Sequence, residues 1–166
     1  MASIRREIRI DARPETAWDA LRDVGALHER LVPGFVTAVR LEEGARIVTF
    51  GNGLVARELI VDLDDEQRRL VWSAAGGRLT HHNASAQVFP DGAAGCRFVW
   101  IADLLPDAMA PAIAAMIEQG IAIIRQTLER SEHLASAAGR GAPGDSARSQ
   151  EPEHSRDEEQ RGDVAR

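Results

Sequence analysis

The order of its segments constrains this chain more than any single motif does. Strand-like runs separated by turn signals fill Phe35 to Asp103, and one long apolar helical pattern follows from about Ala108 to Leu134. A strand meander and a lone amphipathic helix each carry an apolar face, so neither is stable until it covers the other. A curved layer of strands closing on such a rod leaves a hollow between them. The order of elements therefore predicts a small-molecule pocket before any pocket residue is named.

The punctuation gives the strand count. Ile4, Ile8 and Ile10 alternate with charged residues in a first strand that Asp11 ends. Pro14, tolerated in a first helical turn, precedes Trp18, Leu21 and Val24 at helical spacing, which predicts two short helices over Pro14 to Leu31. Val32-Pro33-Gly34 stops them. Glu43-Gly44, Asn52-Gly53, Asp64 to Gln67, Gly76-Gly77 and Asp91-Gly92 then divide six strands: Phe35 to Leu41, Arg46 to Phe50, Leu54 to Leu63, Arg69 to Ala75, Leu79 to Phe89 and Cys96 to Asp103. Connections this short make the meander antiparallel. Pro106 and Pro111 bracket the entry to the final helix, whose Met109, Ile113, Met116, Ile117, Gly120, Ile124 and Leu128 recur at three and four residues. The class is α+β, with seven antiparallel strands, two short helices after the first, and a long C-terminal helix.

With 166 residues, 44% of them hydrophobic, the chain accommodates one domain, residues 1–138, and a tail. From Gly139 to Arg166 the composition turns to Gly, Ser, Asp, Glu and Arg, too polar to bury a core, which predicts a disordered segment. Gly139-Arg-Gly-Ala-Pro-Gly144 matches the dinucleotide fingerprint literally, but no strand precedes it, so it reads as linker. A net charge of −6 with no basic run argues against nucleic acid and anionic membrane partners. Arginines interrupt the isoleucines of Met1 to Asp11, which therefore offer neither a signal peptide nor a spanning segment, and a single cysteine, Cys96, suits a reducing compartment. A cytoplasmic protein without membrane insertion is the expectation, as a monomer or homodimer.

Two absences limit the chemistry. All twenty basic side chains are arginine, so no lysine amine can form a Schiff base. Tyrosine is missing as well, which removes the phenol as proton donor and leaves Asp, Glu, His, Cys, hydroxyls, amides and the main chain.

Pro14-Glu-Thr-Ala-Trp18, the Leu63-Asp-Asp-Glu66 turn, Val99-Trp100 leading to Pro106, and the long last helix together resemble the SRPBCC, or START-like, helix-grip superfamily over Ile4 to Leu134. Its members include pathogenesis-related proteins, lipid-transfer START domains, abscisic-acid receptors and the bacterial polyketide cyclase/dehydrase-like branch, to which this chain is most similar. The resemblance implies a helix-grip fold and a pocket between sheet and helix. Within Glu58 to Ser85, the positions Glu58, Asp64-Asp65-Glu66, Gly76-Gly77, Asn83 and Ser85 resemble the abscisic-acid receptors, which implies Glu58 and Ser85 on the pocket face. The receptors' pocket lysine cannot exist here, Gly51-Asn-Gly-Leu54 replaces their gate, and the His-Arg-Leu after the glycine pair is absent, so hormone sensing is not carried over.

Alternation along strands gathers Leu70, Trp72 and Ala74 on one face, and Cys96, Phe98, Trp100 and Ala102 on another, both aimed at the helix. Leu54, Ala56 and Ile60 share a face with Glu58. A carboxylate there would be desolvated, favouring its protonated form, unless it faces solvent or pairs with an arginine, since Val55, Leu59, Val61 and Leu63 make the opposite face apolar too. For Leu79 to Phe89, pattern sends His81, Asn83, Ser85 and Gln87 to solvent, whereas the resemblance sends Asn83 and Ser85 inward. Following the resemblance, the expected pocket comprises Trp72, Trp100, Ile113, Ile117 and Gly120, with Glu58, His81, Asn83 and Ser85 as polar contacts. Gly120 either opens space for ligand or permits close packing. Glu58 and an inward His81 would form an acid and base pair suited to cofactor-independent cyclisation or dehydration of a keto substrate; a surface His81 is the competing reading. No metal site is expected, because His81 and His82 project to opposite faces and no third ligand stands at a recognisable spacing. Cys96 reads as a buried hydrophobe, Trp18 as a core anchor between the first helix and the sheet, and Asn83-Ala-Ser85 as a chance glycosylation match. The function expected is binding of a small, largely apolar molecule, polyketide-, lipid- or aromatic-like.

Overall fold

Alternating apolar residues between turn-forming pairs produce one antiparallel sheet of seven strands. A computed structural model describes residues 1–74 and 76–140. The strands are β1 (Ala2–Ile10), β2 (Val36–Glu42), β3 (Ala45–Phe50), β4 (Val55–Asp64), β5 (Arg69–Ser73), β6 (His81–Asp91) and β7 (Gly95–Leu105). Their order across the sheet is β1-β7-β6-β5-β4-β3-β2. Consecutive in sequence, β1 and β2 lie on opposite edges, so the chain between them has to cross the sheet. It crosses as α1 (Pro14–Arg22) and α2 (Leu27–Arg30), and the long helix α3 (Ala110–Arg140) follows β7.

The helical stripe lies on the sheet. Ile117, Gly120, Ile121, Ile124 and Leu128 are its buried members, while Met109, Ile113 and Met116 near the start are half-buried. Against them the sheet presents Ile10, Leu70, Val88, Cys96, Phe98 and Leu104, each at most 2% exposed. Burying a large aliphatic or aromatic side chain stabilises the fold by about 1.5–3 kcal/mol, so this shared face dominates the fold's energetics. By length and composition α3 could cross a membrane, yet its stripe is occupied by the sheet. Polar clasps fix its register. Arg6 holds Glu118 at 2.7 Å, Glu132 accepts from Arg13 at 2.7 Å and from Thr16, and Glu129 accepts from the Asp11 amide at 3.1 Å.

At the other end of α1, Trp18 is 7% exposed and its indole N–H donates to Asp65 Oδ1 at 2.9 Å, where the Arg22 guanidinium also binds. The β4–β5 turn is therefore tied to α1. Trp18 serves as the anchor its spacing predicts, with a polar handle toward Asp65. The final helix runs to Arg140, six residues past the expected end. The polar segment expected at residues 139–166 lies outside the described residues from position 141 onward, as does the greater part of the glycine-rich match.

Candidate ligand-binding cavity

The sheet and α3 do not close completely on each other. A cavity of about 150 Å³ lies between them, reaching the surface beside the half-exposed Leu54. Its floor comes from alternate residues of the central strands: Ala56 and Glu58 on β4, Leu70 and Trp72 on β5 with Ala74 just beyond, His82 and Ala86 on β6, Phe98 and Trp100 on β7. Ile113, Met116 and Ile117 of α3 form its roof, and Leu31, Val32 and Phe35 close one end. The lining is almost wholly apolar. The rings of Trp72 and Trp100 stand edge to face, with centroids 5.7 Å apart.

Three polar side chains break that lining. Arg46 reaches in from β3 and is 3% exposed; its Nε–H donates to Glu58 Oε2 at 2.7 Å, and Glu58 is 7% exposed. Cross-strand pairing sets Arg46 directly opposite Glu58. Glu58 is thus both inward and arginine-paired, where the sequence had offered these as alternatives. The guanidinium also lies 5.9 Å from the centre of the Trp72 ring and approaches the Val24 carbonyl. Charge, ring and carbonyl hold it in place. An ion pair this deep offsets its desolvation only through such supplementary contacts.

The third is His82, not His81. On β6 the buried face is His82, Ala84, Ala86 and Val88, while His81, Asn83, Ser85 and Gln87 are half-buried on the opposite face. This corrects the inward placement of His81, Asn83 and Ser85. The physical reason is the alternation itself: three consecutive small or apolar side chains, each at most 2% exposed, fit against the core, and turning the strand over would bury an amide and a hydroxyl instead. The Ala74 amide donates to His82 Nδ1 at 3.3 Å, so the neutral ring carries its proton on Nε2. Burial, and secondarily the neighbouring His81, hold His82 below the usual histidine range.

Of the remaining expected contacts, Trp72, Trp100, Ile113 and Ile117 line the cavity. Gly120 lies beneath it as a packing position, since a Cβ there would stand 3.1 Å from Cζ3 of Trp100. Trp100 Nε1 is enclosed and has no acceptor among the described residues. Cys96 is fully buried, its thiol pushed up to about 11 by burial, and no nucleophile is available there. Among the described residues no three potential metal ligands cluster.

Arg46 was missed from sequence, although its signal was present. A turn centred on Asn52 pairs residues symmetrically about it, and that symmetry brings Arg46 to Glu58.

Residues 1–129 match the family described as polyketide cyclase / dehydrase and lipid transport. The chain belongs to that family. No curated protein gives a significant match. Among solved structures, the protein XoxI from Bacillus cereus is similar at TM-score 0.70 and 16% identity, covering 82% of this chain and 99% of its own. A START superfamily protein from Mycobacterium smegmatis gives 0.61 at 10% identity, covering 80% and 98%. Norcoclaurine synthase from Thalictrum flavum, in complex with dopamine and hydroxybenzaldehyde, gives 0.60 at 17%, covering 78% and 85%. Likenesses this remote in sequence show a common fold, the START-like helix-grip arrangement that the resemblance implied.

Proposed function

We propose that this protein binds a small, largely apolar molecule in the cavity between sheet and α3, in the cytoplasm. The observation that carries this is an apolar hollow with a preorganised Arg46–Glu58 pair on its floor. Trp72, Trp100, Ile113 and Ile117 supply apolar contact, and Glu58 and His82 supply the polar ones, His82 taking the role first given to His81, Asn83 and Ser85. Family membership supports the reading, since its description includes lipid transport and polyketide chemistry. Native mass spectrometry of the protein as purified tests it. A retained small molecule that is lost on substituting Trp72 or Ile117 by a charged residue supports the reading; binding that survives both substitutions overturns it.

The presence of both Glu58 and His82 in the cavity lining favours a second reading, a cofactor-independent cyclase or dehydratase in which the two move protons. Turnover separates the two. If a keto substrate is converted and Glu58→Gln abolishes conversion while leaving affinity within a few fold, catalysis is the function. If Glu58→Gln changes affinity alone, the protein is a binder.

A further inference from the structure

We infer that the cavity takes a neutral, single-ring ligand bearing a hydroxyl group, a phenol or cyclic enol, whose oxygen sits over Ala74 between Glu58 and His82. This rests on the binding reading above and narrows it by size, by charge and by hydrogen-bond sense.

Size comes first. About 150 Å³ is the volume in which a buried apolar cavity accepts a benzene ring. Sites for larger ligands begin near 300 Å³. One ring fills this volume; the remainder of a fused polyketide or an acyl chain would have to extend through the opening beside Leu54.

Charge comes next. The fixed charges on the floor are Arg46 and Glu58, which neutralise each other at 2.7 Å, and His82 is neutral and buried. A ligand carboxylate or ammonium would enter an apolar space with no free counter-charge and lose its hydration uncompensated.

Hydrogen-bond sense completes the inference. Strand pairing joins Arg46 to Glu58, Leu59 to Ser73 and Ser73 to Asn83. Continued one step beyond Ser73, where the pairing ends, the same register sets Ala74 between Glu58 and His82, and the Ala74 amide meets the His82 ring there. Neighbouring strands are about 4.8 Å apart, so on that register roughly 10 Å separates the two backbones, and the side chain at the position between them is the methyl group of Ala74. On one side His82 Nε2 carries a proton, because Nδ1 is taken by the Ala74 amide. On the other, Glu58 Oε2 is taken by Arg46, and Oε1 has no partner among the described residues. A hydroxyl answers both, accepting from His82 and donating to Glu58. A carbonyl could satisfy only the first, an ether likewise.

The test uses four probes of one shape: p-cresol, toluene, 4-methylbenzoate and 4-methylbenzylammonium, each titrated into the full-length protein while the indole N–H resonances of Trp72 and Trp100 are followed. Toluene is the more hydrophobic of the neutral pair, so a cavity without polar readout prefers it. The inference predicts p-cresol at least about tenfold tighter than toluene and both ions weaker than toluene. His82→Phe, with the fold checked by circular dichroism, should abolish the p-cresol preference and leave toluene affinity within about threefold; Ala74→Val, which fills the gap without touching either polar group, should do the same. Toluene binding as tightly as p-cresol overturns the inference and leaves the cavity reading intact. Tightest binding of 4-methylbenzoate overturns it in favour of an anion site on Arg46. If no probe binds at millimolar concentration the inference fails, and retention of a larger molecule in the mass spectrum then shows whether the cavity reading survives it.

Discussion

Single residues carry the polar character of this interior. Removing one partner of the Arg46–Glu58 pair strands a charge in an apolar cavity, so Arg46→Met should lower unfolding free energy in urea by about 3–5 kcal/mol. The double substitution Arg46→Met with Glu58→Leu should recover most of that loss. If it does not, the pair is worth more than its burial implies. His82 behaves differently because it is buried neutral. Its native value lies below the 6.5 of an unperturbed histidine, so the unfolded chain takes up the proton first. Its contribution to stability is therefore complete above about pH 6.5 and is lost as pH falls toward the lower native value. Melting temperature should fall between pH 7 and 5, and His82→Phe should flatten that slope. Asp65, hydrogen-bonded by Trp18 and then by Arg22, and Glu132, by Thr16 and then by Arg13, are held below the ordinary carboxylate range. Their contributions begin to be lost only at lower pH, below about 4.5 for Glu and 3.8 for Asp. Cys96, raised to about 11 and sealed in the core, should resist a disulfide reagent at pH 8 until the chain is unfolded.

At the scale of elements, α3 and β6 show what a sequence does and does not display. The strand order was readable because turn-forming pairs interrupt period-two runs: the strand ends at Glu42, Ala45, Phe50, Val55, Asp64 and Arg69 fall within two residues of Glu43-Gly44, Asn52-Gly53 and Asp64 to Gln67, whereas those about Gly76-Gly77 lie further off. Which face of β6 turns inward was also readable from the pattern Ala84, Ala86, Val88. The likeness to the abscisic-acid receptors points the opposite way, and the alternation prevails. Glu58 resisted assignment for a different reason: both faces of β4 are apolar, and Val55, Leu59 and Val61 remain exposed on the convex side, so local pattern could not choose. Only the cross-strand partner Arg46 decides it. Gly120 is settled as a packing position. Alanine there gains about 1 kcal/mol of helix propensity and must displace Trp100 by a few tenths of an ångström, so stability should change by less than about 1 kcal/mol. Gly120→Leu forces both Trp100 and Phe35 aside, and should cost about 1–3 kcal/mol in urea denaturation.

Taken whole, the molecule is a sheet whose two edges are consecutive in sequence, bridged by two short helices and covered by a third. A cavity lies between the half-buried start of α3 and the two tryptophans, and the family's description is consistent with the binding role proposed for it. The most direct test is a methyl and indole chemical-shift map of the protein titrated with toluene. The account predicts shifts at Ile113, Ile117, Trp72 and Trp100, with none at Leu134, Val55 or Val61 on the outer surface. Shifts confined to those outer residues, or absent throughout at saturating toluene, would contradict a ligand-accepting hollow between sheet and helix.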